Sequence, residues 1–260
     1  MVIDIVEPII RFTNVHKSFY KNGYAHKVLN DISLHVNKGE VVTLLGKSGC
    51  GKSTLLNMVG GFMFPDEGEV LLKGKNVTKP IRDCVILFQQ QNLLPWRTVL
   101  DNVLIGLNGE RRKIENEARN ALQFVGLSEY LHSYPHELSG GMKQRVAIAR
   151  SFAMKPDVIL MDEPFAALDT FNRYHLQDEL IRLQQDHLSI LLVTHDIDEA
   201  VYVSDRIYMM NSNPGDINRT IRIELPKPRD RSHQDFYYYR NKIFELFQLS
   251  SDERKPEYYI

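Results

Sequence analysis

The sequence predicts an α/β protein in which a mixed core sheet surrounds a glycine-rich loop. The segment 46–54, GKSGCGKST, fits the pattern G-x-x-x-x-G-K-[ST]. The apolar run 41–45 before it predicts a buried strand, and the segment 54–59 after it predicts a helix. The apolar runs 158–161 and 190–193 each end in polar residues, which is typical of buried strands that carry a site at their carboxyl ends.

This loop, called the phosphate loop below, has the composition of an anion-binding site. Glycines at Gly46, Gly49 and Gly51 allow turns that a Cβ would obstruct, and they turn backbone N–H groups toward a ligand at a helix N-terminus. Lys52 is placed to reach terminal phosphates, and the Ser53 hydroxyl to ligate Mg²⁺. The candidate nucleotide contacts are Gly46, Lys47, Ser48, Gly49, Cys50, Gly51, Lys52, Ser53 and Thr54.

Composition limits the classes of function. The net charge of −1 gives the 260-residue chain no field that attracts nucleic acid, so we expect no nucleic-acid partner. No apolar run approaches the ~20 residues that cross a bilayer, and the N-terminus has no secretory pattern, so we expect a cytoplasmic chain. Two cysteines are too few for a disulfide framework and fit a reducing compartment.

The N-terminal third predicts a small antiparallel sheet. Apolar and polar residues alternate over 9–15 and 32–36, which predicts two half-buried strands, and a turn at 65–68 leads into a third strand at 69–72. Phe19 and Tyr20 lie between the first two strands. An aromatic ring there either stacks on an adenine ring or packs under its own hairpin.

A polar segment follows the predicted strand 84–88. The glutamines that begin at Gln89 offer amide oxygens to a metal or a water, whereas Leu93, Leu94 and Trp96 form an apolar cluster next to them. Two interpretations stay open for this cluster: a docking surface for a partner, or a solvated loop whose Trp tucks inward.

The segment 99–126 has helical spacing and ends at Gly126. Ser139, Gly140 and Gly141 then precede a helix that carries apolar residues up to Phe152. Serine followed by two glycines at a helix start is either a second anion-binding nest or a plain N-cap with a flexible turn.

Carboxylates follow the buried run 158–161. Asp162 is suited to hold Mg²⁺, and Glu163 is suited to polarise an attacking water. A functional interpretation is favoured because two adjacent carboxylates after a buried strand are seldom needed for stability. His195 follows the run 190–193 and delivers a third polar group to the same sheet edge.

Taken together, these ordered motifs resemble the nucleotide-binding subunit of an ATP-binding cassette (ABC) transporter over residues 8–225. The resemblance implies a P-loop NTPase cassette with a mixed core sheet, an N-terminal antiparallel β subdomain and a helical insertion at about 93–155. It also implies that Phe19 or Tyr20 stacks on adenine, that Gln89 ligates Mg²⁺ together with Ser53 and Asp162, that Glu163 is the catalytic base and that His195 contacts the γ-phosphate.

The resemblance implies a head-to-tail homodimer. The segment LSGGMKQR matches the family's signature, in which Ser139, Gly140, Gly141 and Gln144 bind the γ-phosphate of ATP held by the opposite subunit, and Asp169 lies in the loop that crosses between subunits. Lys47 and Met142 depart from the usual Pro and Gln of the family but leave both motifs intact. The expected cofactors are ATP and Mg²⁺.

Finer resemblance points to the importer branch that handles nitrate, taurine and alkane sulfonates, carried by LLPWRTVLDNV at 93–103, LSGGMKQR at 138–145 and IELPKPRDR at 223–231. It implies that integral membrane permease subunits dock on the apolar cluster at 93–96 and that an extracytoplasmic solute-binding protein acts through the permease. It also implies a peripheral location on the cytoplasmic face of the membrane. The rivals are the ATPase of an exporter and a soluble cassette protein that serves no transporter.

The predicted domain division is an ABC ATPase domain at 1–230 and a C-terminal helical extension and tail at 231–260. Phe236, Ile243 and Phe247 have helical spacing with an apolar face, and the segment 251–260 is polar and predicted to fray. This helix either packs on its own subunit or senses solute.

Overall fold

The computed structural model describes residues 7–21, 23–184 and 188–252. Its strands are β1 (Ile10–Lys21), β2 (Tyr24–Val36), β3 (Val41–Gly46), β4 (Glu67–Leu72), β5 (Lys75–Asn76), β6 (Cys84–Leu87), β7 (Val158–Asp162), β8 (Ser189–Thr194), β9 (Arg206–Met210) and β10 (Ile217–Arg222). Its α-helices are α1 (Lys52–Val59), α2 (Val99–Leu104), α3 (Arg111–Phe124), α4 (Gly140–Ala153), α5 (Thr170–Gln184), α6 (Ile197–Val203) and α7 (Gln234–Asp252).

The core sheet has the strand order β10-β9-β3-β8-β7-β6. Strands β9, β3, β8, β7 and β6 are parallel, and β10 pairs antiparallel with β9, so the predicted mixed sheet is confirmed. Every residue of β3 and β8 is buried, because helices or the second sheet cover both faces. The carboxyl ends of β3, β7 and β8 therefore meet at one edge of the sheet.

The second sheet is antiparallel with the order β2-β1-β4-β5, as predicted. Its first two strands are much longer than the predicted segments 9–15 and 32–36. Register shifts in β1 after Phe12, after Val15 and after Lys17 interrupt the alternation of apolar and polar residues. Asn14 and Asp31 also adopt positive φ at these irregularities, so periodicity alone missed the middle of the hairpin.

The helical segment predicted for 99–126 is broken. Helix α2 ends at Leu104 and α3 begins at Arg111, with Gly106 and Gly109 between them. The side chain of Asn102, fully buried in α2, bonds the backbone N–H and C=O of Leu94 and the carbonyl of Arg97. Helix α2 thus anchors the loop that follows β6.

Helix α7 packs on α6, and its buried residues Phe236 and Ile243 belong to the main core. It begins close to the predicted position, and the predicted fraying covers its last two residues and the segment 253–260, which lies outside the described residues. The domain boundary at 230/231 stays a prediction. Within the described ranges, no helix is long and apolar enough to cross a membrane.

Candidate nucleotide-binding and catalytic site

A cavity of about 780 Å³ lies at the sheet edge where β3, β7 and β8 end. This volume suits a small ligand such as a nucleotide. The predicted site residues that line it are Phe19, Gly46, Lys47, Ser48, Gly49, Gly51, Lys52, Ser53, Thr54, Gln89, Asp162, Glu163 and His195. Residues that are far apart in sequence are therefore brought together in one cavity.

The phosphate loop has the backbone that its glycines predict. Gly49 and Gly51 have φ of +80° and +97°, in the region that favours glycine. A Cβ on Gly51 would also lie 2.5 Å from the end of the Leu29 side chain, which would have to move to admit a larger residue. Helix α1 starts after Gly51 with no side-chain cap and no acidic residue in its first turn, which leaves its N–H groups for an anion.

Lys52 is held under the loop. Its side chain is buried, and Nζ donates to the carbonyl oxygens of Gly46 at 2.7 Å and Lys47 at 2.9 Å. Cys50 is also buried, with its Sγ 3.7 Å from this ammonium, so only its backbone can contact a phosphate. The loop thus concentrates positive charge and N–H donors at one end of the cavity.

Ser53 and Asp162 bring two oxygen groups together in the cavity. The Ser53 hydroxyl bonds the Asp162 carboxyl, while burial raises the pKa of that carboxyl above its ordinary value. Lys52 offsets the effect of burial on this carboxyl only in part, since its pKa stays raised, so the position suits a further cation such as a divalent ion. No cluster of three or more acidic, His or Cys residues that could hold a metal occurs in the described ranges. Mg²⁺ sites commonly use one or two carboxylates plus substrate phosphates.

Glu163 is the centre of the polar network. Its Oε1 lies 3.0 Å from His195 Nδ1, and its Oε2 accepts from Gln89 Nε2 at 3.2 Å. The backbone of Glu163 has φ +48°, an uncommon conformation for a non-glycine residue, and its N–H donates to Val193 O at 2.9 Å. Strain of this kind at a strand end aims the carboxylate into the cavity between His195 and Gln89.

Of the two aromatic candidates in β1, only Phe19 lines the cavity. It is 38% exposed, whereas Tyr20 is 81% exposed and lies outside the cavity lining. Adjacent strand residues point to opposite faces, so one of the two had to point away. The hairpin interpretation is therefore insufficient, since Phe19 presents its ring to the ligand cavity.

The second nest does not belong to this cavity. Ser139 caps α4 by accepting from the Met142 N–H at 3.2 Å, and Ser139 and Gly140 are exposed. Gly141 lies against the Ala167 carbonyl, where an added Cβ would come within 3.3 Å. The nest and the loop before α5 therefore form one outward-facing surface.

Gln144 has a different environment from the rest of the predicted signature contacts. It is buried, and its Oε1 accepts from Gln91 Nε2 at 3.0 Å, while its own Nε2 has no partner. In this structure its side chain connects α4 to the glutamine-rich loop rather than facing solvent.

The family model described as ABC transporter matches residues 29–166, which is more than half of the chain. The chain belongs to the ABC transporter family. Its P-loop cassette fold and its ATPase activity follow, with ATP as the bound nucleotide.

Individual ABC proteins match over nearly the whole chain. An uncharacterised ABC transporter ATP-binding protein of Methanocaldococcus jannaschii is 45% identical over 92% of this chain and 91% of its own length. The aliphatic sulfonates import ATP-binding protein of Bacillus anthracis is 41% identical over 92% and 96%. A solved ATP-binding cassette, described as a dimeric post-hydrolysis state bound to ADP and Pi, superposes with a TM-score of 0.77 at 30% identity, covering 84% of this chain and all of the other.

Asp169 and Arg173 connect the loop before α5 of this ABC cassette to the segment after β8. Asp169 is exposed and accepts from the N–H and side chain of Asn172, which lower the pKa of its carboxyl. Arg173 lies 3.6 Å from Asp196 and 3.7 Å from Glu199. Arg173, whose N–H donates to the Asp169 carbonyl, thus links the start of α5 to the residue next to His195.

Sequence reasoning missed several residues at the ABC site. Gly215 lies against the phosphate loop, where an added Cβ would come within 2.1 Å of the Cys50 carbonyl, and its N–H donates to Val28 O. Phe244 and Phe247 of α7 also line the cavity. Nothing in the local pattern signals these contacts, because each depends on segments that meet only in the folded chain.

Proposed function

We propose that this ABC ATPase is the energy-supplying subunit of an importer, which drives uptake of a small organic or anionic solute through a separate membrane permease. The likeness to a relative named for import of aliphatic sulfonates supports this substrate class. The observation that carries the import assignment is this 41% identity over 92% of the chain. The cavity shared by the phosphate loop, Glu163 and His195 supports the ATPase part of the proposal, and the outward-facing second nest supports a second copy as partner.

In the proposed reaction, ATP lies with its phosphates in the phosphate loop and its adenine on Phe19. Glu163 accepts a proton from water as the water oxygen bonds to the γ-phosphorus, and the bond to the β–γ bridging oxygen breaks to release ADP. His195 orients Glu163 and contacts the γ-phosphate, and Lys52 stabilises negative charge there. Mg²⁺ held by Ser53, Gln89 and Asp162 would neutralise phosphate charge.

The proposed assembly is a head-to-tail homodimer. Ser139, Gly140 and Gly141 of one copy would close over the ATP held by the other, with Gln144 behind them and Asp169 at the crossing loop. Ser139 is exposed at the start of α4, which suits this role because helix N-terminal N–H groups favour an anion. An isolated subunit should therefore bind ATP and hydrolyse it poorly.

The permease would dock on the apolar cluster of Leu93, Leu94 and Trp96, of which Trp96 is 69% exposed. Arg150 of α4 donates to the carbonyls of Gln91 and Asn92, so movement of this loop would be transmitted to the helix that carries the second nest. We propose that the subunit is peripheral on the cytoplasmic face and that an extracytoplasmic solute-binding protein acts through the permease.

Affinity purification of the tagged chain in mild detergent, followed by mass spectrometry, tests the transport assignment. A multi-span permease, with a solute-binding protein, is the expected result. Only soluble partners together with full ATPase activity in their absence would favour a non-transport cassette, and a permease of the exporter type would contradict the import direction. A Trp96→Ala variant, with Tyr134→Ala as an exposed aromatic control, should recover less permease.

A further inference from the structure

The C-terminal helix reaches the nucleotide site. Phe244 and Phe247 of α7 line the same cavity as Lys52, Glu163 and His195. Phe244 is 53% exposed, although its helix neighbour Ile243 is fully buried. An aromatic ring that is left half in solvent inside a ligand cavity is placed to contact the ligand.

Contacts along α7 give its direction relative to α6. The ring of Phe236 near the start of α7 meets Tyr202 near the end of α6, with centroids 6.4 Å apart. One turn later, Arg240 lies 3.3 Å from Asp198 near the start of α6. The two helices are therefore antiparallel, and the later turns of α7 pass beyond the N-terminus of α6.

His195 directly precedes this N-terminus, since α6 begins at Ile197 and is capped by Asp196. Ile197 lines the cavity together with Phe244. Phe244 follows Arg240 by four residues, or about 6 Å along a helix, which brings it level with His195. This register places position 244 beside the strand end that carries His195, whereas Phe19 supplies an aromatic ring from the β1–β2 hairpin.

We propose that the end of α7 is a wall of the catalytic site, in which Phe244 is a positioning residue that packs beside His195 and the terminal phosphates of the nucleoside triphosphate. An apolar wall excludes surplus water, which strengthens the interactions of Lys52 and Glu163 with phosphate and attacking water. The inference rests on the proposed reaction. Phe247 supports the wall by packing partly against the main core.

Thiol labelling tests the geometry without using activity. Phe244→Cys is combined with Glu163→Gln, which keeps bound ATP intact, and maleimide labelling is followed with and without ATP. The native thiols give little background, because Cys50 is fully buried and burial raises the pKa of Cys84 to about 12. The matched control is Tyr237→Cys, an exposed aromatic position two turns earlier on α7 and outside the cavity lining.

ATP should slow labelling at position 244 about tenfold, because ligand pockets bury roughly 70–90% of the ligand surface, and should leave position 237 unchanged. The same protection is expected when Ser139→Arg is added to prevent closure by a second copy. Unchanged labelling at 244 under conditions where ATP binding is measured directly would overturn the proposal while leaving the ATPase assignment intact. Protection that disappears with Ser139→Arg would also overturn it, because the second copy rather than the nucleotide would then cover Phe244.

Kinetics separate positioning from a structural role. Phe244→Ala should lower kcat roughly threefold to thirtyfold, less than the ~10²-fold loss from misplacing a reacting group, with little change in KM for ATP. Phe244→Leu should recover most of the rate, since it restores an apolar wall, and Tyr237→Ala should match the wild type. A kcat unchanged in Phe244→Ala, or a loss in Tyr237→Ala as large as in Phe244→Ala, would contradict the proposal.

Discussion

Replacement of Glu163 by Gln tests the proposed base with little change of shape. The side-chain carbonyl of a Gln can still accept from Gln89 Nε2, and the backbone N–H can still donate to Val193 O. The positive φ at position 163 is equally unfavourable for Glu and for Gln, so the substitution should not change the fold. The substitution removes the capacity to accept a proton from water and the negative charge beside His195.

General-base catalysis contributes about 10²–10⁴-fold to rate, so kcat for Glu163→Gln should fall by about that factor. Affinity for ATP should stay the same or increase slightly, because one negative charge near the γ-phosphate is removed. Phosphate release under saturating ATP gives kcat, and equilibrium binding of ATP gives affinity separately.

The control for this experiment is Glu115→Gln, which changes a glutamate on α3 that pairs with Arg119 on the helix surface. It should have near-normal turnover, since surface pairs contribute little. Turnover of Glu163→Gln close to that of the control, with normal ATP binding, would remove Glu163 as the base.

Two further predictions concern adenine binding and pH. Phe19→Ala should weaken ATP binding by about tenfold, because stacking of a base on an aromatic ring contributes ~1–3 kcal/mol, and Tyr20→Ala should leave it unchanged; equal effects of the two in calorimetry would contradict the placement of Phe19. Burial raises the pKa of Glu199 from 4.5 to about 7. The folded state then binds this proton more tightly than the unfolded chain, so the free energy of unfolding should fall by up to roughly 3 kcal/mol as pH rises from 4.5 to 7 and level off above that. Glu199→Gln should lose this slope in denaturant titrations, and parallel wild-type and variant profiles would refute the assignment.

Local patterns were sufficient to place the candidate site residues close together. The strand, phosphate loop and helix around Lys52 are adjacent in sequence, so their periodicity and glycines are sufficient to indicate the arrangement. Asp162, Glu163 and His195 could be placed at one edge because buried parallel strands bring their carboxyl ends together. The structure brings all of them into one cavity.

Features that depend on long-range packing could not be predicted in this way. Bulges in β1 hide the alternation that would have distinguished Phe19 from Tyr20. Gly215 resembles any turn glycine until the Cys50 carbonyl lies beside it. The direction of α7, and hence the position of Phe244, is set by its contacts with α6 and has no signature in the sequence of either helix.

The central claim is that each ATP is held between the phosphate loop of one copy and the second nest of the other. A variant with Lys52→Ala lacks a working phosphate loop, and a variant with Ser139→Arg lacks a working nest, so each alone should be nearly inactive. When the two are mixed in equal amounts, half of the dimers are mixed and each mixed dimer contains one complete site. Mixing should therefore restore phosphate release up to about one quarter of the wild-type rate. No recovery on mixing, with both variants folded and dimerisation demonstrated, would contradict the shared site.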